Sequence, residues 1–287
     1  MSETVLTAND DMVVPAPATG GTPHRRQLPH GPGKILLWGP PLLVLAAVIG
    51  AWYFISLVIL GTRSFLLPPP NEVLGTLLVE KTRMDVIDAF LSTAQVAVLG
   101  LIIASVIGIA WAILMNVARW VERSTFPYAV ILQAVPILAI APVISIWVTD
   151  AFWARTIVCV LIALFPMVSN TLFGLQSVDR SHRELFKLQK ASRFTVLRKL
   201  ELPAATPAIF AGLRISAGLA VVGAIVGDFF FQKGELGLGA LMRKYQSRVD
   251  NAELLATVLV AVVFGVLVFL LFGLLARLAV GKWYDYS

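Results

Sequence analysis

Residues 184–203 read ELFKLQKASRFTVLRKLELP, a charged, amphipathic island between two long apolar segments. Both neighbours are long enough to cross a bilayer. The basic residues in and just before the island, Arg180, Arg183, Lys187, Lys190, Arg193, Arg198 and Lys199, must therefore share one side of it. The positive-inside rule makes that side the cytoplasm. Two helix starts are readable here: Ser181 with Glu184 three residues on has the form of a capping box, and Ser192 can cap a second short helix that Pro203 ends. In that second helix Phe194, Leu197 and Leu200 form an apolar stripe. Such a stripe fits the membrane surface, the protein's own spans or a docking partner.

Outward from the island, nearly uncharged runs predict six membrane spans at about 35–60, 89–117, 124–148, 154–176, 207–228 and 253–278, with a loop at 179–203. Arg214 alone interrupts the fifth run, and Arg155 lies at the edge of the fourth. Apolar residues make up 58% of the 287 and charged residues only 14%, which excludes a soluble basic domain. The net charge of +6 sits in short connections rather than on an aromatic-studded polar face, so it gives no nucleic-acid signal. Six spans put both ends on one side. Arg25, Arg26, Lys34, Arg119, Arg123, Arg277 and Lys282 join the seven loop cations there, against Arg63, Lys81, Arg83, Lys233, Arg243, Lys244 and Arg248 opposite. Both termini are expected in the cytoplasm. Residues 1–33 are polar, rich in Thr, Pro and Gly and without a helical period, and are expected to be a disordered tail rather than a signal peptide.

The order of residues in the island adds what periodicity cannot. Glu184, Lys190 six positions later, and then Leu200, Leu202 and Pro203 resemble the E-A-A-x3-G-x9-I-x-L-P loop of bacterial ABC importer permeases, without a gap. FPMVSNTLFGLQSVD at 165–179 and LPAATPAIFAGLRISAGLAVVGAIVGD at 202–228 resemble the nitrate, sulfonate and taurine branch, whose members also include carriers of pyrimidine- and flavin-type vitamin precursors. The likeness spans roughly 65–280. It departs from the pattern where Leu185 and Phe186 replace two alanines and Lys190 replaces the glycine.

The resemblance implies an all-α, type I importer permease fold with a cytoplasmic coupling helix, in a bacterial inner membrane. It implies two cytoplasmic ATPase subunits carrying the ATP and magnesium, a second permease copy, and an extracytoplasmic solute-binding protein. This chain is expected to bind no cofactor. Glu184, Leu185, Phe186, Lys190, Ala191, Ser192, Leu202 and Pro203 become the candidate ATPase-coupling residues. The solute stays undetermined, because the binding protein selects most of it.

Polar residues within spans are the candidates for the pathway or gate: Gln133, Ser145, Asn170, Arg214, Ser216 and Asp228, each with interhelical hydrogen bonding or anchoring as the alternative. Gln95 belongs to the same class. On the external face Leu67, Pro68, Pro69 and Pro70 form a stiff entry to an amphipathic helix near 72–80, with Asn71 as its expected cap. They resemble the branch's leucine-proline motif, and with Phe231 they are candidate contacts for the binding protein, against a plain linker and an aromatic belt. Gly223 and Gly227 form a GxxxG pair for close helix approach, inviting a two-fold permease interface.

Catalytic and nucleotide motifs are missing from the sequence. Gly31, Pro32, Gly33 and Lys34 lack the glycine and the Ser or Thr of a phosphate loop, and Gly234, Gly237 and Gly239 read as a turn-rich external loop. His24, His30 and His182 all fall outside the spans, and Cys159 reads as a small packed hydrophobe. A six-span channel would leave the spacing from Glu184 to Pro203 without a purpose, and a membrane-embedded enzyme would need intramembrane His or paired carboxylates. The remaining chemistry is conformational, driven from outside the chain.

Overall fold

The computed structural model describes residues 34–281. The tail expected at 1–33 and Lys282 lie outside the described residues. Contacts separate two units, Met1–Val48 and Ile49–Ser287. In the first, the described residues form the opening turns of α1 (Lys34–Phe54), with Pro40 and Pro41 inside the helix. The second takes in the rest of α1, which passes through a wide π-turn at Ile55–Ile59 into a 3₁₀ turn at Gly61–Leu66.

Proline chemistry sets several boundaries in the second unit. The short α2 (Pro70–Thr76) starts on Pro70, whose missing N–H and fixed φ suit a first helical position, with extended Pro69 ahead of it. Asn71 is therefore inside the first turn rather than its cap. The helix also stops at Thr76, whose hydroxyl donates back to the Val73 carbonyl at 2.8 Å, short of the expected 80. The long α3 (Glu80–Val117) follows, its 38 residues reaching about 57 Å, well beyond a hydrocarbon core. The run expected as one span at 124–148 is instead α4 (Arg119–Ala134) and α5 (Ile137–Trp147), bent by 107°. Pro136 causes the break: it offers no N–H and holds Val135 extended.

Asp150 then caps α6 (Ala151–Gln176), accepting from the Trp153 N–H at 3.0 Å. After α7 (Arg180–Leu188) and the single turn α8 (Arg193–Val196), a π-turn at Leu197–Glu201 runs directly into α9 (Leu202–Phe230). Pro203 does not end a helix here. The wider turn, with Leu202 N–H donating to Leu197 O, absorbs the proline ring and its missing donor. The chain closes with α10 (Leu238–Arg248) and α11 (Asn251–Val280). Among the described residues, five helices are long and apolar enough to cross a membrane, or six if the bent pair is counted as one span.

The core is built on α6, which α3 and α9 clasp through small residues. Ala97, Ala104, Cys159, Ala163, Ala217, Ala220 and Ala224 are all buried together. Gly223 and Gly227 permit this: a Cβ on either would lie 2.8 Å from Cys159 Cα or 3.0 Å from Arg155 Cα. The GxxxG pair thus packs α9 on α6 within one chain, not across a two-fold interface.

Candidate functional site

The loop after α6 folds by local rules. α7 places Leu185, Phe186 and Leu188 among Arg180, Arg183 and Lys187, so one short helix carries both an apolar and a basic surface. Its start lacks the expected capping box. Asp179 is the cap residue, Ser181 already lies inside the helix, and no side chain bonds the free N–H groups. Its end is a Schellman-type stop: Ala191 N–H donates to Phe186 O at 3.0 Å, Lys190 N–H to Lys187 O at 2.9 Å, and Lys190 is left-handed at φ +52°. A glycine is favoured at this position because only glycine reaches that conformation without a Cβ penalty. Ser192 behaves as expected, its Oγ accepting from Thr195 N–H at 3.2 Å at the head of α8.

Three side chains moor this loop to the ends of the core helices. Arg193 Nη2 donates to the carbonyls of Asn116 at 3.1 Å and Val117 at 3.0 Å, satisfying orphan acceptors at the C-terminus of α3. Arg183 Nη2 does the same for α6 through Leu175 O at 2.9 Å. Between them lies Glu201, only 2% exposed, which accepts from Asn116 Nδ2 at 2.6 Å and pairs with Arg183 at 3.6 Å. These groups, with Arg119, Glu122, Arg180, Glu184 and Lys187, border a predominantly basic crevice of about 680 Å³. Leu197 is buried beneath it in a cluster with Ala112, Met115, Leu172 and Leu175.

Facing away from that mooring, Leu185, Leu188 and Phe194 are 52%, 81% and 69% exposed. The stripe expected from Phe194, Leu197 and Leu200 is thus divided: Leu197 packs inward and Phe194 outward. Glu184 and Lys190 are exposed, Phe186, Ala191 and Leu202 half-buried, and Ser192 and Pro203 exposed. Glu184 makes no hydrogen bond or ion pair among the described residues.

At the opposite end of α9, Asp228 is wholly buried and pairs with the 3%-exposed Arg155 at 3.1 Å. Thr93 Oγ1 donates to the second carboxylate oxygen at 2.5 Å and accepts from Leu238 N–H at 2.8 Å. Arg155 also donates to Ser92 Oγ at 3.3 Å and Glu235 O at 3.1 Å. This network joins α3, α6, α9 and the start of α10. Gly237 presses against the Asp228 carboxylate and Gly239 against the Ile225 carbonyl, and a Cβ at either position would collide there.

The other residues expected in the pathway are dispersed. Ser216 is buried and donates to Ala163 O at 2.8 Å, tying α9 to α6. Asn170 and Ser145 bond back to Pro166 O at 2.8 Å and Pro142 O at 2.6 Å within their own helices. Gln133 is exposed beside a 260 Å³ recess reaching Pro166 and Leu219. Arg214 faces α11, its guanidinium 3.9 Å from the Phe269 ring centroid. Ahead of α2, Pro68 and Pro69 are buried, as is Phe231 after α9, and Leu67 and Pro70 are half-buried. Pro68 O accepts from Trp52 Nε1 at 3.0 Å, so this segment shapes the surface more than it forms it.

Sequence reading passed over Arg155 as the partner of Asp228, since the two lie 73 residues apart and nothing local marks which helix ends will meet. It also passed over Glu201, which occupies an unspecified position of the loop motif, and no pattern marks it.

Comparison with known proteins gives the family and the fold. The family model described as "Binding-protein-dependent transport system inner membrane component" matches residues 104–282. The formylaminopyrimidine transport permease protein ThiX of Halalkalibacterium halodurans is 33% identical over 62% of this chain and 70% of that protein. The riboflavin transport system permease protein RibX of Chloroflexus aurantiacus is 33% identical over 58% of this chain and 60% of its own length. Among solved structures, a chain of the methionine ABC transporter MetNI in inward-facing conformations shares the fold, with a TM-score of 0.61 and 17% identity over 69% of this chain and 97% of that one. A multi-pass helical chain whose moored loop carries the importer spacing, and whose residues 104–282 match that model, belongs to the binding-protein-dependent transport system inner membrane components, the permease subunits of ABC transporters.

Proposed function

We propose that this permease works as one half of a paired translocation unit, with a second copy of itself, two cytoplasmic ATPase subunits and an extracytoplasmic solute-binding protein. The observation that carries the reading is the loop's two-sided construction. Leu185, Leu188 and Phe194 stand outward for a partner's groove, while Arg183, Arg193 and Glu201 tie the same loop to the ends of α3 and α6. A displacement imposed by an ATPase subunit then reaches two core helices without passing through flexible chain, and alternating access follows as a rigid-body response. ATP and magnesium reside on the partners, and this chain supplies no catalytic group. The loop and both termini lie in the cytoplasm, by the distribution of Lys and Arg.

Within this reading Glu184 is a docking charge rather than a helix cap, since it is exposed and unpaired among the described residues. Asn170 and Asp228 act on the pathway through helix bending and packing. The solute panel begins with formylaminopyrimidine, riboflavin, nitrate and sulfonates, the solutes named for its relatives, assayed on the cognate binding protein. The test of the loop is solute-stimulated ATP hydrolysis in proteoliposomes, together with co-purification of the ATPase, for Glu184→Lys and Leu188→Asp. Both variants should insert normally and lose stimulation and co-purification. Wild-type coupling in both would make the loop a solvated face and refute the reading.

A further inference from the structure

The groove between α9 and α11 holds two arginines that the coupling loop does not use. Arg214 on α9 and Arg277 on α11 line it with Phe210, Phe269, Gly273 and Ala276, enclosing about 420 Å³. The Arg214 guanidinium lies over Phe269, and Gly273 makes room for it, since a Cβ there would come within 3.3 Å of Arg214 Cζ and Nε. Arg214 Nε is buried and donates no hydrogen bond, and neither arginine has a carboxylate within ion-pair distance among the described residues. The aromatic face orients the cation without neutralising it. An arginine at span depth with no counter-charge is costly, so the groove is chemically incomplete as it stands.

Its surroundings indicate the missing group. Leu270, Leu274 and Leu278 beside it on α11 are 57%, 55% and 70% exposed, a surface matched to acyl chains rather than to a water-filled path. Gly273, against which the Arg214 guanidinium lies, and Arg277 are one turn of α11 apart, about 6 Å along its axis, and Arg277 belongs to the last turn of that helix. Basic pockets between membrane helices on the cytoplasmic side take anionic headgroups. We propose that this groove binds the phosphate of an anionic phospholipid in the leaflet nearest the coupling loop, held between Arg214 and Arg277, with an acyl chain along Phe269 and the α11 leucines. The site needs the membrane-spanning fold but not the transport cycle, so its failure would leave the coupling reading standing.

The test is native mass spectrometry of the delipidated full chain in detergent, titrated with phosphatidylglycerol, phosphatidylcholine or inorganic phosphate. Phosphatidylglycerol should be retained about ten-fold better than phosphatidylcholine, and Arg214→Gln with Arg277→Gln should abolish that preference. The single exposed-site variant Arg277→Gln, which leaves the packed interior alone, should reduce it, and Arg277→Lys should keep most of it. Equal retention of the two lipids, or an unchanged preference in the variants, would overturn the proposal. Displacement by inorganic phosphate at equal concentration would make this a free-anion site, and loss of dimer in Arg277→Gln would assign the groove to a second copy; either result overturns it as well.

Discussion

Replacing Asp228 with Asn removes one charge from the buried pair while keeping the side-chain shape, and should be among the most destabilising single changes in the chain. At the observed 3.1 Å the gross attraction is about 5 kcal/mol at an effective dielectric of 20. The variant also leaves Arg155 charged and buried. Loss of one partner from such a pair costs about 3–5 kcal/mol. Arg155 keeps three neutral acceptors, Ala151 O, Ser92 Oγ and Glu235 O, at 3.2, 3.3 and 3.1 Å, which draws the expected cost toward the lower figure. Even about 3 kcal/mol is a change of more than about 100-fold in the folded ratio. The assay is a double-mutant cycle with Arg155→Met, followed by unfolding in mixed detergent and SDS micelles. The double variant should recover at least about 2 kcal/mol relative to the sum of the singles, because it leaves no orphaned charge. Additive losses, or an Asp228→Asn protein as stable as wild type, would show that the two charges do not depend on each other.

Lys190→Gly should stabilise the end of α7 by about 1 kcal/mol, since it relieves a left-handed Lys; slower hydrogen exchange in 186–191 would register it, and faster exchange would contradict it. Val249→Gly should act the same way at the end of α10, where a β-branched residue holds φ +63°. Glu201→Ala removes the bridge from Asn116 to Arg183 and should lower solute transported per ATP hydrolysed several-fold, with about 1.5–3 kcal/mol lost in stability; an unchanged ratio would separate the bridge from coupling. Cysteines placed at Ser181 and Ser247 should label from opposite sides of the membrane, and labelling of both by an impermeant reagent in intact cells would rule out the proposed topology.

The family, most of the apolar helices and the helix pair of the loop were legible in the sequence because each depends on signals local to the chain: apolar runs long enough for a bilayer, and a motif of fixed spacing around Glu184 and Pro203. Ser192 as a helix cap was legible for the same reason, since its partner lies three residues on. The break at Pro136 and the π-turn before Pro203 were not, because a proline in an apolar run can end, bend or ride within a helix, and packing on α6 selects among these. Tertiary structure alone decided that Arg155 neutralises Asp228, that GxxxG serves contact inside the chain, and that Glu201 joins the loop to α3. These pairs are separated by 73 residues for Arg155 and Asp228 and 85 for Asn116 and Glu201. Local pattern carries no record of which distant helix end a charge will meet, whereas the cost of burying that charge ensures that, once the helices pack, it meets one.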